Sequence, residues 1–131
     1  MKGYVANIEE LALKNEYFRE VLYTDTNVQL VVMALKRGED IGEEVHQLDQ
    51  FIRVEKGSGK VLLDGVESAI EYGSAIIVPS GTRHTIINTG PEPMKLYTLY
   101  APPDHKDGTV HKTKAEAQGD KEDHFDGTTT A

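Results

Sequence analysis

The 131-residue sequence contains no cysteine. This absence excludes both a disulfide framework and a zinc site built from thiolates. Basic residues are outnumbered as well: 14 lysines and arginines stand against 22 aspartates and glutamates, which gives a formal net charge of −8. Proteins that bind nucleic acid or anionic membranes usually present a basic face, so the charge disfavours both kinds of partner.

Long hydrophobic runs are also missing. No stretch approaches the roughly 18 apolar residues of a membrane-spanning helix, and the N-terminal residues lack the apolar segment of a signal peptide. These absences predict a soluble cytoplasmic protein. With 38% apolar residues, the chain has the composition of a globular protein, and its length is enough to close one hydrophobic core.

Most of the chain has the residue pattern of short β-strands. Apolar, β-branched runs recur at intervals of about ten residues from Phe18 to Ala101, and most are closed by glycine, proline or another turn-forming residue. No helical pattern separates these runs, so a parallel α/β fold is disfavoured. We predict an all-β sandwich or barrel. One short helix or turn is expected after a capping Asn7, and another near residues 112–117.

The composition changes after Pro102 and Pro103, where charged residues become frequent and apolar residues rare. We predict one domain over residues 1–117, which includes an N-terminal extension, and a flexible polar tail over residues 118–131. The domain is expected to fold without this tail. His105, His111 and His124 have no ligand-like spacing and are expected to be solvated.

One segment concentrates polar groups at even spacing. Glu44, His46 and Gln50 would share one face of a regular strand, where a carboxylate, an imidazole and an amide need partners if they are buried. His84 begins a later strand, directly after a Pro-Ser-Gly turn. If these segments face each other in a small barrel, the four side chains form a shell for one divalent transition metal ion.

The spacing of these residues resembles the two-motif signature of the cupin superfamily. The second motif reads Gly, five residues, Pro-x-Gly, two residues, His, three residues, Asn, and residues 73–88 match it throughout. The first motif reads Gly, five residues, His-x-His, three or four residues, Glu, six residues, Gly. Residues 38–57 keep that spacing, with Glu44 at the first His position and Gln50 at the Glu position. Asn88, which ends the second motif, is expected to fix a barrel turn.

The resemblance implies a small antiparallel jelly-roll barrel with a metal site inside. It also implies a homodimer, since many small cupins pair through their sheets. The usual cupin ligands, three His and one Glu, carry one negative charge, and so do Glu44, His46, Gln50 and His84. We therefore expect these four residues to bind one divalent ion of Mn, Fe, Zn, Ni or Co. Whether Gln50 binds directly or through a water stays open, and no residue is assigned a catalytic role.

Among cupins, the sequence looks most like single-domain proteins grouped with the cupin-type mannose-6-phosphate isomerases. That likeness implies metal-assisted proton transfer between adjacent carbons of a sugar or another small polar metabolite. Two alternatives stay open. One is an Fe- or Mn-dependent dioxygenase that uses a facial triad of two His and one carboxylate. The other is a non-enzymatic module that binds a small molecule in the presence of metal.

Overall fold

The computed structural model describes residues 2–130. In chain order its elements are α1 (Ile8–Lys14), β1 (Arg19–Thr24), β2 (Gln29–Leu35), β3 (Glu44–Val45), β4 (Asp49–Lys56), β5 (Ser58–Leu63), β6 (Val66–Glu71), β7 (Ala75–Val78), β8 (Arg83–Ile87), β9 (Met94–Ala101), β10 (Val110–His111) and α2 (Lys114–Gly119). The larger sheet has the order β10-β1-β2-β9-β4-β7 and the smaller sheet the order β3-β8-β5-β6. All strand pairs within them are antiparallel. The prediction of a mostly-β antiparallel fold is confirmed. The two sheets are not hydrogen-bonded into a closed barrel over the described residues, so closure stays a prediction.

The hairpin of β1 and β2 shows how local sequence sets the strands. Both runs are rich in β-branched and other apolar residues, which favour extended backbone. Asp25 closes the turn between them, because its backbone N–H donates to the carbonyl of Val28 at 2.8 Å. On its other side β2 pairs with β9 from Gln29, opposite Tyr100, to Leu35, opposite Met94. These long pairings form the middle of the larger sheet.

The hydrophobic core lies between the two sheets. In β4, Ile52 and Val54 are fully buried while Arg53 between them is partly exposed, the period of two expected for a strand with one face on a core. Burying each such aliphatic side chain contributes roughly 1.5–3 kcal/mol. The core cluster draws on both sheets and consists of Phe18, Val21, Val31, Met33, Leu35, Leu48, Ile52, Val54, Val61, Ile70, Ile76, Val78, Ile86, Met94, Leu96 and Tyr100.

The polar segment that was expected to form one strand is divided between the sheets. Glu44 lies in β3 of the smaller sheet, directly opposite His84. The chain bends after His46, and β4 then begins in the larger sheet and carries Gln50. The expectation that Glu44, His46 and Gln50 share the face of one strand is therefore wrong. The chain crosses from one sheet to the other between His46 and Gln50.

Asn88 fixes the turn that follows β8, as the second motif predicts. Its side-chain amide donates to the carbonyls of Leu35 at 3.0 Å and Glu92 at 2.9 Å, and its side-chain oxygen accepts from the backbone N–H of Gly90 at 3.0 Å. Asn88 is completely buried. A buried amide with these partners closes its own loop, residues 88–92, and ties that loop to the end of β2.

Both helices begin at capping residues. The Asn7 side chain accepts from the backbone N–H of Glu10 at 3.0 Å, which confirms the predicted N-cap of α1. The Thr113 hydroxyl caps α2 in the same way, so this helix begins two residues later than predicted, at Lys114. Within residues 2–130, no helix has the length and apolar content needed to cross a membrane.

The C-terminal segment is hydrogen-bonded to the sheets. The backbone N–H of Thr130 donates to the carbonyl of Thr24 at 2.9 Å, and the backbone N–H of Thr24 donates to the Thr130 hydroxyl at 2.9 Å. His105 and His111 are only 5% and 3% exposed. Their expected solvation is wrong, whereas His124 is exposed as expected. The domain boundary at residue 117 and the flexibility of the tail stay predictions.

Candidate metal centre

A cavity of about 390 Å³ lies where β3, the start of β1, the segment after β9 and the C-terminal segment meet. Glu44 and His46 line one side of it, and Asp104 and His105 line another. The helix α2 and Asp123 contribute to the wall formed by the C-terminal segment. A cavity of this size suits a small metabolite.

Glu44 and His46 are in direct contact. Oε2 of Glu44 lies 3.0 Å from Nε2 of His46. Burial raises the pKa of the Glu44 carboxyl, but the hydrogen bond from His46 and nearby positive charge outweigh this effect, and the pKa falls below its usual value. Metal bonds of about 2.1 Å separate neighbouring ligand atoms by roughly 3 Å, so the two atoms already have the spacing of ligands to one ion.

His84 presents a free nitrogen beside His46. The Nδ1 atom of His84 lies 3.0 Å from the carbonyl oxygen of Thr82, and because a carbonyl can only accept, Nδ1 carries the proton. The Nε2 atom is then an acceptor, yet it is buried and has no hydrogen-bond partner among residues 2–130. The two imidazole rings lie 5.1 Å apart, centroid to centroid. Fixing Nδ1 on a backbone carbonyl is a common way to orient an imidazole whose Nε2 binds metal.

Gln50 presents a second unpartnered acceptor. Its side chain is buried, and its Nε2 donates to the Thr98 hydroxyl at 3.0 Å, which leaves the buried Oε1 without a partner in the part of the chain that the structure describes. Tyr100 lies opposite Gln50 on β9, and the Tyr100 ring stands edge-on to the His46 ring at 6.0 Å. Gln50 and His46 are therefore on the same interior side of the larger sheet.

Asp104 joins the predicted residues. Glu44, His46 and Asp104 each offer a ligand atom within 4.8 Å of the others, a cluster that does not include His84. Oδ1 of Asp104 lies 3.7 Å from Nδ1 of His46, on the far side of the ring from Glu44. Burial lowers the pKa of His46, but the hydrogen bond to Glu44 and the charge of Asp104 outweigh burial and raise it. Asp104 thus lies where a carboxylate would orient a metal-binding imidazole.

Sequence reasoning missed a second pair of ionisable groups at the cavity. Nδ1 of His105 lies 2.7 Å from Oδ2 of Asp123, and Nε2 of His105 lies 3.3 Å from the Tyr100 hydroxyl. Burial raises the pKa of Asp123, but the bond to His105 outweighs it and brings that pKa down to about 2. The Asp-His dipeptide directly after Pro102-Pro103 was the available signal, since the prolines end β9 beside the cavity.

Comparison with known proteins supports the fold and the motifs. The family model of the cupin domain matches residues 31–100. Protein YrkC of Bacillus subtilis is 46% identical over 123 residues, which cover 88% of this chain. The chain spans only 66% of the length of that relative.

Solved structures agree with this match. The crystal structure of BH2720 from Bacillus halodurans superposes with a TM-score of 0.89 at 43% identity, over 91% of this chain and 96% of that one. KdgF from Halomonas shares the fold at 23% identity, with a TM-score of 0.61 over 68% of this chain and 79% of that one. Both motifs, at residues 38–57 and 73–88, fall within the matched region 31–100. The chain belongs to the cupin family.

Proposed function

We propose that the protein binds one divalent transition metal ion through Glu44, His46 and His84, with the Gln50 amide oxygen as fourth ligand. The observation that supports this most is the pair of buried, unpartnered acceptors within residues 2–130, His84 Nε2 and Gln50 Oε1. Leaving a buried polar atom without a partner costs about 1–3 kcal/mol, and a cation bound by both atoms would remove that cost.

The chemistry of the donors fits a first-row transition ion. Two imidazole nitrogens and two oxygens suit Mn, Fe, Co, Ni or Zn better than Ca or Mg, which prefer oxygen ligands alone. Glu44 supplies one negative charge, the same ligand charge as three His and one Glu. When bound, the ion would polarise the carbonyl or hydroxyl oxygens of a substrate.

For the reaction, we propose proton transfer between adjacent carbons of a small polar metabolite that carries a hydroxyl next to a carbonyl, as in an aldose–ketose isomerisation. His105 is the proton carrier in this proposal. Asp123 accepts the Nδ1 hydrogen of His105, so the lone pair of a general base lies on Nε2, the atom 3.3 Å from the Tyr100 hydroxyl. Nε2 takes the proton from the hydroxyl-bearing carbon next to the carbonyl and returns it to the former carbonyl carbon, the hydroxyl proton passes to the former carbonyl oxygen, and Asp123 stabilises the transient imidazolium.

Deuterium exchange tests this reaction across a panel of candidate substrates. The metal-loaded protein is incubated in D2O with aldoses, ketoses and their acid derivatives, and NMR detects deuterium at carbon. We expect exchange with at least one compound, and His105→Gln should lower its rate by about 100-fold or more at unchanged metal content. His124→Gln is the matched control, because His124 is exposed. If His105→Gln exchanges deuterium at the parent rate, His105 is not the base. The absence of exchange with every compound would favour a binding module.

A dioxygenase is the second candidate, because Glu44, His46 and His84 supply the two imidazoles and one carboxylate of a facial triad. Oxygen uptake by the iron-loaded protein that depends on an added metabolite would favour this function over the isomerase. Proton exchange that continues under anaerobic conditions would favour the isomerase. The homodimer and the cytoplasmic location stay predictions that size measurement and cell fractionation can test.

A further inference from the structure

Arg19, the first residue of β1, is a buried cation on the cavity wall. It is only 7% exposed, and its guanidinium stacks over the Phe18 ring at 5.2 Å. Nη1 donates to Nδ1 of His111 at 3.1 Å, whereas the buried Nε has no hydrogen-bond partner among the described residues. Guanidinium groups are rarely buried without an anion, because the desolvation cost is large unless charge and hydrogen bonds compensate it.

No carboxylate among residues 2–130 forms an ion pair with Arg19. A chain of contacts to a carboxylate runs through His111, whose Nε2 lies 2.9 Å from Oδ2 of Asp120. Because Arg19 can only donate, His111 Nδ1 accepts and His111 Nε2 carries the hydrogen given to Asp120. A neutral imidazole therefore separates Asp120 from the guanidinium. The fork of Arg19 is held in place, and its charge lowers the pKa of Glu44 and of Asp123 without a direct ion pair to either carboxylate.

We propose that Arg19 binds the carboxylate of a small organic acid in the cavity. This deepens the proposed function, on which it rests, by making the substrate a hydroxy or oxo acid with its acid group at Arg19 and its reacting carbons near His105. A guanidinium binds a carboxylate through two parallel hydrogen bonds, and such a pair is stronger when water is excluded.

The charges around the cavity favour a carboxylate over a phosphate. Besides Arg19, the lining carries Lys114, which is paired with Asp40 at 2.7 Å. Four carboxylates line the same space, those of Glu44, Asp104, Asp120 and Asp123. One bound divalent ion offsets much of that negative charge. A singly charged acid then needs only Arg19, whereas a doubly charged phosphate lacks a second free cation among the described lining residues.

NMR of the arginine side chains tests the site directly with acetate as the probe. The full chain is labelled with 15N and loaded with zinc, and a metal-free sample is measured in parallel. The Nε–H resonance that disappears in Arg19→Lys is assigned to Arg19. We expect acetate to shift this resonance saturably, because Nε gains its missing partner. Acetamide, which is neutral, and inorganic phosphate should bind at least about tenfold more weakly.

Controls within the same spectra make the outcome decisive. Arg83 is exposed and paired with Glu43 at 3.1 Å, so acetate should cause no saturable shift of its resonance. The substitution Arg83→Lys should leave the shift of the Arg19 resonance unchanged. The absence of a saturable shift at Arg19 in both samples would overturn the proposal, and so would an equal response to acetamide. Phosphate binding at least as tightly as acetate would overturn the choice of a carboxylate. The titration involves no turnover, so its failure is distinguishable from failure of the proton-transfer proposal.

Discussion

Nδ1 of His105 lies 2.7 Å from Oδ2 of Asp123, so a residue from the C-terminal segment completes the wall of a cavity built by the sheets. Asp123 also accepts from the backbone N–H of Lys106 at 3.1 Å. One carboxylate thus holds both the ring and the backbone of the segment that follows β9. The C-terminal segment is part of the candidate site.

Removing that segment should destabilise the protein. A chain ending at Gln118 loses Asp120 and Asp123, the partners of the buried His111 and His105. Each imidazole left unpaired costs about 1–3 kcal/mol, so urea unfolding should show a free energy of unfolding that is lower by about 2–6 kcal/mol. A chain ending at Asp126 keeps both carboxylates and should lose less of its stability. Equal stability of the full chain and the chain ending at Gln118 would instead support a dispensable tail.

Asp123 should also make stability depend on pH in the acid range. The folded pKa is about 2, below the ordinary value of 3.8, so the ionised carboxylate stabilises the fold above pH 3.8. This contribution, about 1–2 kcal/mol after solvent screening, is lost as pH falls from 3.8 towards 2. Urea unfolding of the parent and of Asp123→Asn should therefore differ most above about pH 4 and converge near pH 2. A stability difference that does not change with pH would show that Asp123 acts by packing alone.

The fold was predictable because its signals are local. Turn formers close strands of alternating burial, as in β4, and the motif around Asn88 predicts the turn that follows β8. The bend after His46 was not predictable. The amino-acid pattern of residues 44–56 is that of one continuous strand, and the division into β3 and β4 depends on tertiary packing. Spacing predicted the candidate ligands, and the structure divides them between two sheets instead of placing them along one strand.

The rest of the candidate site was hidden by composition. His105 and Asp123 lie in a polar, charged segment of the kind that usually stays solvated, and their separation of 18 positions gives no periodicity that would pair them. Arg19 was missed for a similar reason: an arginine at the start of a strand normally points to solvent. Only the structure shows that this one is 7% exposed.

Gly59 in β5 should tolerate no side chain. A Cβ placed there would lie 2.2 Å from the carbonyl oxygen of Ile87 and 2.7 Å from the Met94 side chain. Gly59→Ala must therefore push β5 away from β8, at a cost of roughly 2 kcal/mol or more in the free energy of unfolding. Gly3→Ala is the matched control, because nothing lies within 4 Å of a Cβ at that position. Urea unfolding measures the free energy of unfolding of both variants. If Gly59→Ala is as stable as the parent, the two strands adjust without strain.

The position of the carboxylate in the metal centre can be tested by exchanging ligands. Glu44→Gln leaves a doubly charged ion with neutral ligands only, so metal affinity, measured by competition with a chelator, should fall by about 100-fold or more. Glu43→Gln is the control: Glu43 is exposed and pairs with Arg83 at the surface, so its loss should leave the affinity unchanged.

Two further variants separate the charge of the ligand set from its position. Gln50→Glu should retain metal, because Oε1 of Gln50 is already a buried oxygen without a partner in residues 2–130. The double variant Glu44→His with Gln50→Glu restores three His and one Glu with a single negative charge, and it should bind metal at least as tightly as the parent. Its reaction should nonetheless change, because the anionic ligand then lies in the larger sheet instead of beside His84. If Glu44→Gln binds metal as tightly as the parent, Glu44 is not a ligand and the cation must be held by other residues.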